Sequence, residues 1–132
     1  MRAVAQRVRR ARVEVAGERV AEMGHGLLAL VGVAHGDGDD DAGVMNRALG
    51  DVAGTLGVVS QFTLLGDCRK GRRPSYADAA VPEEAEARLA VLVAHARALG
   101  VTVVTGRFRA EMAVELVNEG PVTLLLDTRR LF

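Results

Sequence analysis

The run LLALVGV, Leu27 to Val33, contains no polar side chain and is bounded by Gly26 on one side and by the acidic stretch HGDGDDD on the other. A short apolar run so punctuated predicts a strand covered on both faces, at the centre of a sheet. The rest of the chain must supply those covers. Upstream, RAVAQRVRRARVEVAGERVAEMG has valines in partly alternating runs around an AGE turn signal, which predicts edge strands and a hairpin. Downstream, the stretch from Asp41 to Thr55 is rich in Gly and polar residues and holds no helical period for two turns. It predicts loop and short strand. LGVVSQFTL returns to strand character.

From Pro82 the signals become helical. Pro stands in the first turn, Glu83 and Glu84 complement the positive end of the helix dipole, and Gly100 lies just past the end. Ala85, Leu89, Leu92, Val93, Ala96 and Leu99 recur at three-to-four spacing and form one apolar face. VTVVTG, AEMAVELVN and PVTLLLD predict three further strands, the last two separated by a turn at EGP. The 132 residues therefore read as one domain, largely β with a long helix covering a sheet. A core of Val, Leu and Ala is implied by 49% hydrophobic but only 3% aromatic residues, so each exposed aromatic asks for a reason.

Several chemistries are disfavoured. His25, His35 and His95 are far apart and without cysteine partners, so no metal site is predicted. Asp37, Asp39 and Asp41 alternate like a calcium loop, but Ala42 and Ala48 occupy the positions that need Gly and Glu. No cofactor is expected, since nucleotide-binding glycine motifs and a nucleophile elbow are both missing from the sequence. Cys68 cannot pair within the chain. With Arg69 and Lys70 beside it the thiol is a conceivable nucleophile, yet no histidine is near in sequence. No apolar run approaches the roughly 20 residues of a membrane span, and no apolar leader opens the chain, so a cytoplasmic protein is expected.

Two stretches stand out. SQFTLLGDCRKGRRPS sets a polar strand end, Ser60 to Thr63, directly before the cations Arg69, Lys70, Arg72 and Arg73, a juxtaposition suited to gripping a phosphate backbone. Strand alternation would place Ser60 and Phe62 on one side, Gln61 and Thr63 on the other. NEGPVT places Gly120 and Pro121 between apolar strands, a rigid turn whose carbonyls a shape-selective pocket can use.

Together with MRAVAQRV, GLLALVGV and PEEAE, these stretches resemble the D-aminoacyl-tRNA deacylase family, in order and over almost the whole chain. The resemblance implies an α/β fold with three layers, β/β/α, assembled as a homodimer with active sites at the subunit boundary. It implies that Ser60, Gln61, Phe62 and Thr63 line the pocket for the terminal adenosine of tRNA and its ester. Gly120 and Pro121 would reach in from the partner and exclude L side chains, with Arg7, Met112 and Asn118 in support. Arg69, Lys70, Arg72 and Arg73 would meet the tRNA. Hydrolysis would be assisted by the ribose 2′-hydroxyl, with no metal and no cofactor. Achiral glycyl-tRNA would pass the same filter.

The chain departs from that pattern at three places. Between the acidic loop and Met45 it is short, as though a helix and a strand were missing. Arg109 stands where the family favours Gly, and Cys68 where it favours Thr. The shortening leaves open a non-catalytic tRNA-binding or proofreading-accessory module.

Overall fold

The computed structural model describes residues 1–49 and 54–132. Six strands form one mixed sheet: β1 (Arg2–Val15), β2 (Glu18–Met23), β3 (Gly26–Gly32), β4 (Thr55–Ser60), β5 (Thr102–Thr105) and β6 (Ala113–Asp127). Two helices, α1 (Asp39–Leu49) and α2 (Pro82–Ala98), complete the framework. The order is β2-β1-β3-β4-β5, with β6 pairing on β1. As expected, the LLALVGV strand is central: β3 runs antiparallel to β1 and parallel to β4, which is parallel to β5.

The strand alternation sorts side chains into two cores. Ala29, Val31, Leu56, Val58 and Val103 face one way and pack with Met1, Ala42, Met45, Leu92, Val93 and Ala96. Leu28, Leu30, Val59 and Val104 face the other way, onto Val8, Ala11, Val13 and Met23. The first core lies between sheet and helices. The second lies between the two halves of the sheet, which folds over on itself. This is the β/β/α layering the sequence led us to expect, and burying one such aliphatic side chain is worth about 1.5–3 kcal/mol.

Three local readings are corrected. β1 is not an edge strand: its first half pairs with β3, its second half with β2, and β6 runs along its other side. The hairpin at Ala16 and Gly17 does form, with both residues at positive φ. Second, Asp39 to Leu49 is helical, not loop and short strand. Three aspartates occupy the first turn, where the dipole favours them. Asp41 Oδ2 accepts the Gly38 N–H at 2.9 Å, a reciprocal cap. Ala42 and Met45, fully buried, seat the helix against α2. The expected missing helix is therefore present, and it covers the face whose exposure the shortening suggested. The remainder of that reading, residues 50–53, lies outside the described residues.

Third, AEMAVELVN and PVTLLLD are one strand, β6. Its register on β1 jumps from Asn118 opposite Val8 to Thr123 opposite Gln6, so residues 119–122 leave the ladder as a bulge between two aligned segments. In α2 the expected limits hold, with Pro82 in the first turn and Gly100 at φ 84° beyond the end. Leu99, however, is exposed and takes no part in the apolar face.

Beneath α1, Asp37 is buried. Its Oδ2 lies 2.6 Å from the Met1 ammonium and accepts the Ala34 N–H, while Oδ1 accepts from Arg129 at 3.0 Å. These partners satisfy both carboxylate oxygens of Asp37.

Candidate active site

β3 and β4 are parallel, and their carboxyl ends open into a cavity of about 600 Å³. Ligands in sheets of this kind are held at such ends. Val31, Val33, Val59 and Ser60 form its floor, and Pro82, Ala85 and Leu89 from the start of α2 form one wall. The segment Phe108 to Met112 closes the far side.

The expected pocket strand ends at Ser60. The Gln61 N–H still bonds the Val31 carbonyl at 2.8 Å, but Phe62 to Leu65 then wind into a 3-10 turn. Strand alternation therefore does not continue through Thr63. Ser60, Gln61 and Phe62 line the cavity, whereas Thr63 stands exposed outside it and accepts a hydrogen bond from the Gln61 side-chain amide. Thr63 thus orients Gln61. Gly32 permits this arrangement, because a Cβ there would lie 2.8 Å from the Gln61 carbonyl oxygen and 2.5 Å from Leu65 Cδ2.

Sequence reasoning missed Tyr76 and Phe108. The Phe62 and Tyr76 rings meet edge to face, with centroids 5.1 Å apart. In a chain of three Phe and one Tyr, three of the four aromatics line this cavity. Their scarcity was the available signal. Met112, expected only in a supporting role, also lines it, while Arg109 lies on its rim with φ 61°, a backbone region costly for any residue but glycine.

The Gly120–Pro121 peptide is cis, and Gly120 has φ 125°. The bulge that carries it is braced from inside. Arg7 Nε donates to the Glu119 carbonyl at 3.2 Å. Asn118 Oδ1 accepts the Val122 N–H at 3.0 Å, and its Nδ2 reaches the Val122 carbonyl and Thr123 Oγ1. His25 and Arg9, not singled out from the sequence, approach the Glu119 carboxylate at 3.2 and 3.7 Å. Gly120 and Pro121 are exposed and do not line the cavity of their own chain.

The four cations do not line it either. Asp67 and Ser75 close their loop by a pair of backbone hydrogen bonds, 2.8 and 2.9 Å. Arg69 turns back and grips Asp67 with two side-chain bonds, at 2.9 and 2.8 Å. Those bonds and the Arg69 N–H lower the Asp67 carboxyl to about 2. Lys70, Arg72 and Arg73 point outward, exposed, and among the described residues they make no ion pair. Cys68 is exposed in the same loop. Among the described residues, no group of His, Cys, Asp and Glu is arranged to hold a metal ion, and no helix is long and apolar enough to cross a membrane.

A family profile described as "D-Tyr-tRNA(Tyr) deacylase" matches residues 4–45 and 38–127. A D-aminoacyl-tRNA deacylase of Anaeromyxobacter dehalogenans is 52% identical over 149 aligned positions, covering 100% of both chains. One from Heliobacterium modesticaldum is 49% identical, covering 98% of this chain and 97% of the relative. The 149 aligned positions exceed the 132 residues present, so the relative carries a segment this chain lacks. Among solved structures, one titled "c-Myc DNA Unwinding Element Binding Protein" superposes with a TM-score of 0.85 at 30% identity, covering 96% of this chain and 98% of that one. A probable eukaryotic D-amino acid tRNA deacylase, 14% identical with a TM-score of 0.78 over 95% and 97% of the chains, shares the fold. Profile, full-length relatives and the layered fold around this cavity agree: the chain belongs to the D-Tyr-tRNA(Tyr) deacylase family.

Proposed function

We propose that this protein hydrolyses the ester joining a D-amino acid to the 3′-terminal ribose of tRNA. The observation that carries the reading is the cavity at the ends of β3 and β4, floored by Ser60 and Gln61 and walled by Phe62, Tyr76 and Phe108. Aromatic faces suit the terminal base, and the hydroxyl and amide suit the ester. Among the described residues, the lining contains no histidine, carboxylate or thiol. In this reading a water adds to the ester carbonyl with its proton passed by way of the substrate's own vicinal 2′-hydroxyl. The 3′-oxygen departs with a proton, and the free amino acid and tRNA are released. Ser60 and Gln61 position the carbonyl.

Chirality is assigned to a second copy. The turn of Gly120 and Pro121 is exposed and rigidly braced, yet absent from its own cavity. β6 presents Leu124 and Leu125 to solvent, at 45% and 63% exposure, along a strand whose pairing is with β1. An apolar edge of that kind favours association. In a homodimer the partner's turn enters the cavity, and its carbonyls leave no room for an L side chain. Glycine, having no side chain, passes. The substrate class places the enzyme in the cytoplasm, and Lys70, Arg72 and Arg73 meet the tRNA backbone. The non-catalytic alternative rested on the missing segment. That segment is indeed absent relative to the Anaeromyxobacter dehalogenans protein, but the full-length relatives are deacylases and α1 covers the helix-side core, which favours the hydrolytic reading.

Deacylation of D-tyrosyl-tRNA and L-tyrosyl-tRNA by the purified protein tests the reading. Rapid release of the D ester with slow release of the L ester is expected; equal slow release of both overturns it. Sedimentation equilibrium checks the dimer, and a monomer active at the same concentration removes the partner's turn from the site.

A further inference from the structure

A second cavity, of about 480 Å³, opens beside the first. The two share Ser60, Leu89 and Phe108, so Phe108 is a ridge between them. The chain runs Arg107-Phe108-Arg109 across that ridge, with Arg107 lining the second cavity and Arg109 the first. Besides Ser60 and Arg107, polar groups in the second cavity come from two elements. Glu86 and Arg97 stand on α2, and Thr105 ends β5. Arg97 is held in place by donating to the Val103 carbonyl at 3.3 Å. The floor is apolar, with Val58 and Val93 beneath.

A stacking platform flanked by cations is what a single nucleic-acid strand requires. We propose that this second cavity receives the nucleotide preceding the terminal adenosine, an inference that rests on the function proposed above. The phosphodiester linking the two nucleotides crosses the Phe108 ridge between the Arg107 and Arg109 guanidinium groups, where charge-assisted hydrogen bonds are strong. The base stacks on the Phe108 face that lines this cavity, above the apolar floor. The Glu86 carboxylate accepts from its exocyclic amine, which favours cytosine over uracil. The enzyme thereby reads two nucleotides of the common CCA end of tRNA, not the terminal one alone.

Binding of non-hydrolysable analogues tests this without relying on turnover. Three are compared: D-tyrosyl-3′-amino-adenosine, the same group on a cytidylyl-adenosine dinucleotide, and the same group on a uridylyl-adenosine dinucleotide. Wild-type protein should bind the cytidylyl form about tenfold or more tightly than the nucleoside, the gain of one charge-assisted contact and one stacked base. R107A should lose most of that gain and leave nucleoside affinity alone. E86Q should bring the cytidylyl and uridylyl forms to similar affinity while thermal melting stays unchanged. Equal affinity of wild type for nucleoside and dinucleotides overturns the second subsite but leaves the proposed function standing. If no analogue binds and D-tyrosyl-tRNA is not cleaved, the function itself fails and the subsite with it.

Discussion

Replacing Gly120 by alanine tests the turn with a single added carbon. At φ 125° L side chains are seldom found, and a residue held in such a region costs about 1–3 kcal/mol. The methyl would stand 2.9 Å from Arg7 Nη2, 2.9 Å from Val122 Cγ2 and 3.1 Å from the Val122 backbone nitrogen. The first two are side-chain ends and can swing aside. Arg7 then surrenders its 3.2 Å bond to the Glu119 carbonyl, a further loss of about 0.5–1 kcal/mol at an exposed site. Strain and lost bracing together come to about 1.5–4 kcal/mol. At roughly 4 °C per kcal/mol for a domain of this length, the melting temperature falls by about 6–16 °C. The turn also shifts. Excluding one enantiomer by overpacking is worth about 1–3 kcal/mol, or about 5- to 150-fold in rate. Thermal melts followed by circular dichroism, run beside deacylation of D- and L-tyrosyl-tRNA, report both effects. A lower melting temperature with an unchanged D-to-L ratio would refute the exclusion mechanism and leave the turn a structural brace. An unchanged melting temperature would refute the steric argument itself.

Gly32→Ala should cost about 1–3 kcal/mol in urea unfolding and reduce kcat/KM, because its methyl meets the Gln61 carbonyl oxygen at 2.8 Å. Arg109→Gly should raise the melting temperature by about 4–8 °C, removing about 1–2 kcal/mol of left-handed backbone cost; no rise would mean that the loop, not the residue, sets that conformation. The Asp67 carboxyl, lowered to about 2 by its bonds to Arg69, contributes its stabilising pair fully above its ordinary value near 4, and the pair is lost as pH falls through about 2. The Arg69 Nε–H resonance should follow that titration in wild type and stay flat in Asp67→Asn. Cys68→Ala should leave kcat unchanged, since the thiol is exposed and outside the cavity; loss of activity would restore the thiol nucleophile.

Strong periodic signals translated directly into structure. LLALVGV became the central strand because seven apolar residues admit no solvent face, and Pro82 and Gly100 bracket α2. Shorter signals misled. α1 has only Ala42 and Met45 as its described buried stripe, and Gly43 dilutes its propensity, so its helicity comes from acidic capping and from packing on α2. At Ser60 to Thr63 the residue types pointed to the site, but period-two geometry failed where the chain leaves the sheet. Thr63 therefore changed from pocket wall to support for Gln61. The basic loop was legible as charge but not as geometry: Arg69 folds back along the loop onto Asp67 and leaves the other three cations without an ion pair among the described residues. The aromatic wall was hidden because Tyr76 and Phe108 lie far from Phe62 along the chain, joined only by folding.

β1 is continuous through both β layers, with Arg7 and Val8 where its pairing changes from β3 toward β2. Its flank carries β6 and the Gly120 bulge, while β3 carries the cavity floor. The bulge and the cavity floor are therefore two attachments to a single backbone segment. A kink introduced near Gln6 would displace the Gly120 bulge and the cavity floor together, whereas a change confined to the bulge, such as Gly120→Ala, moves only one of them.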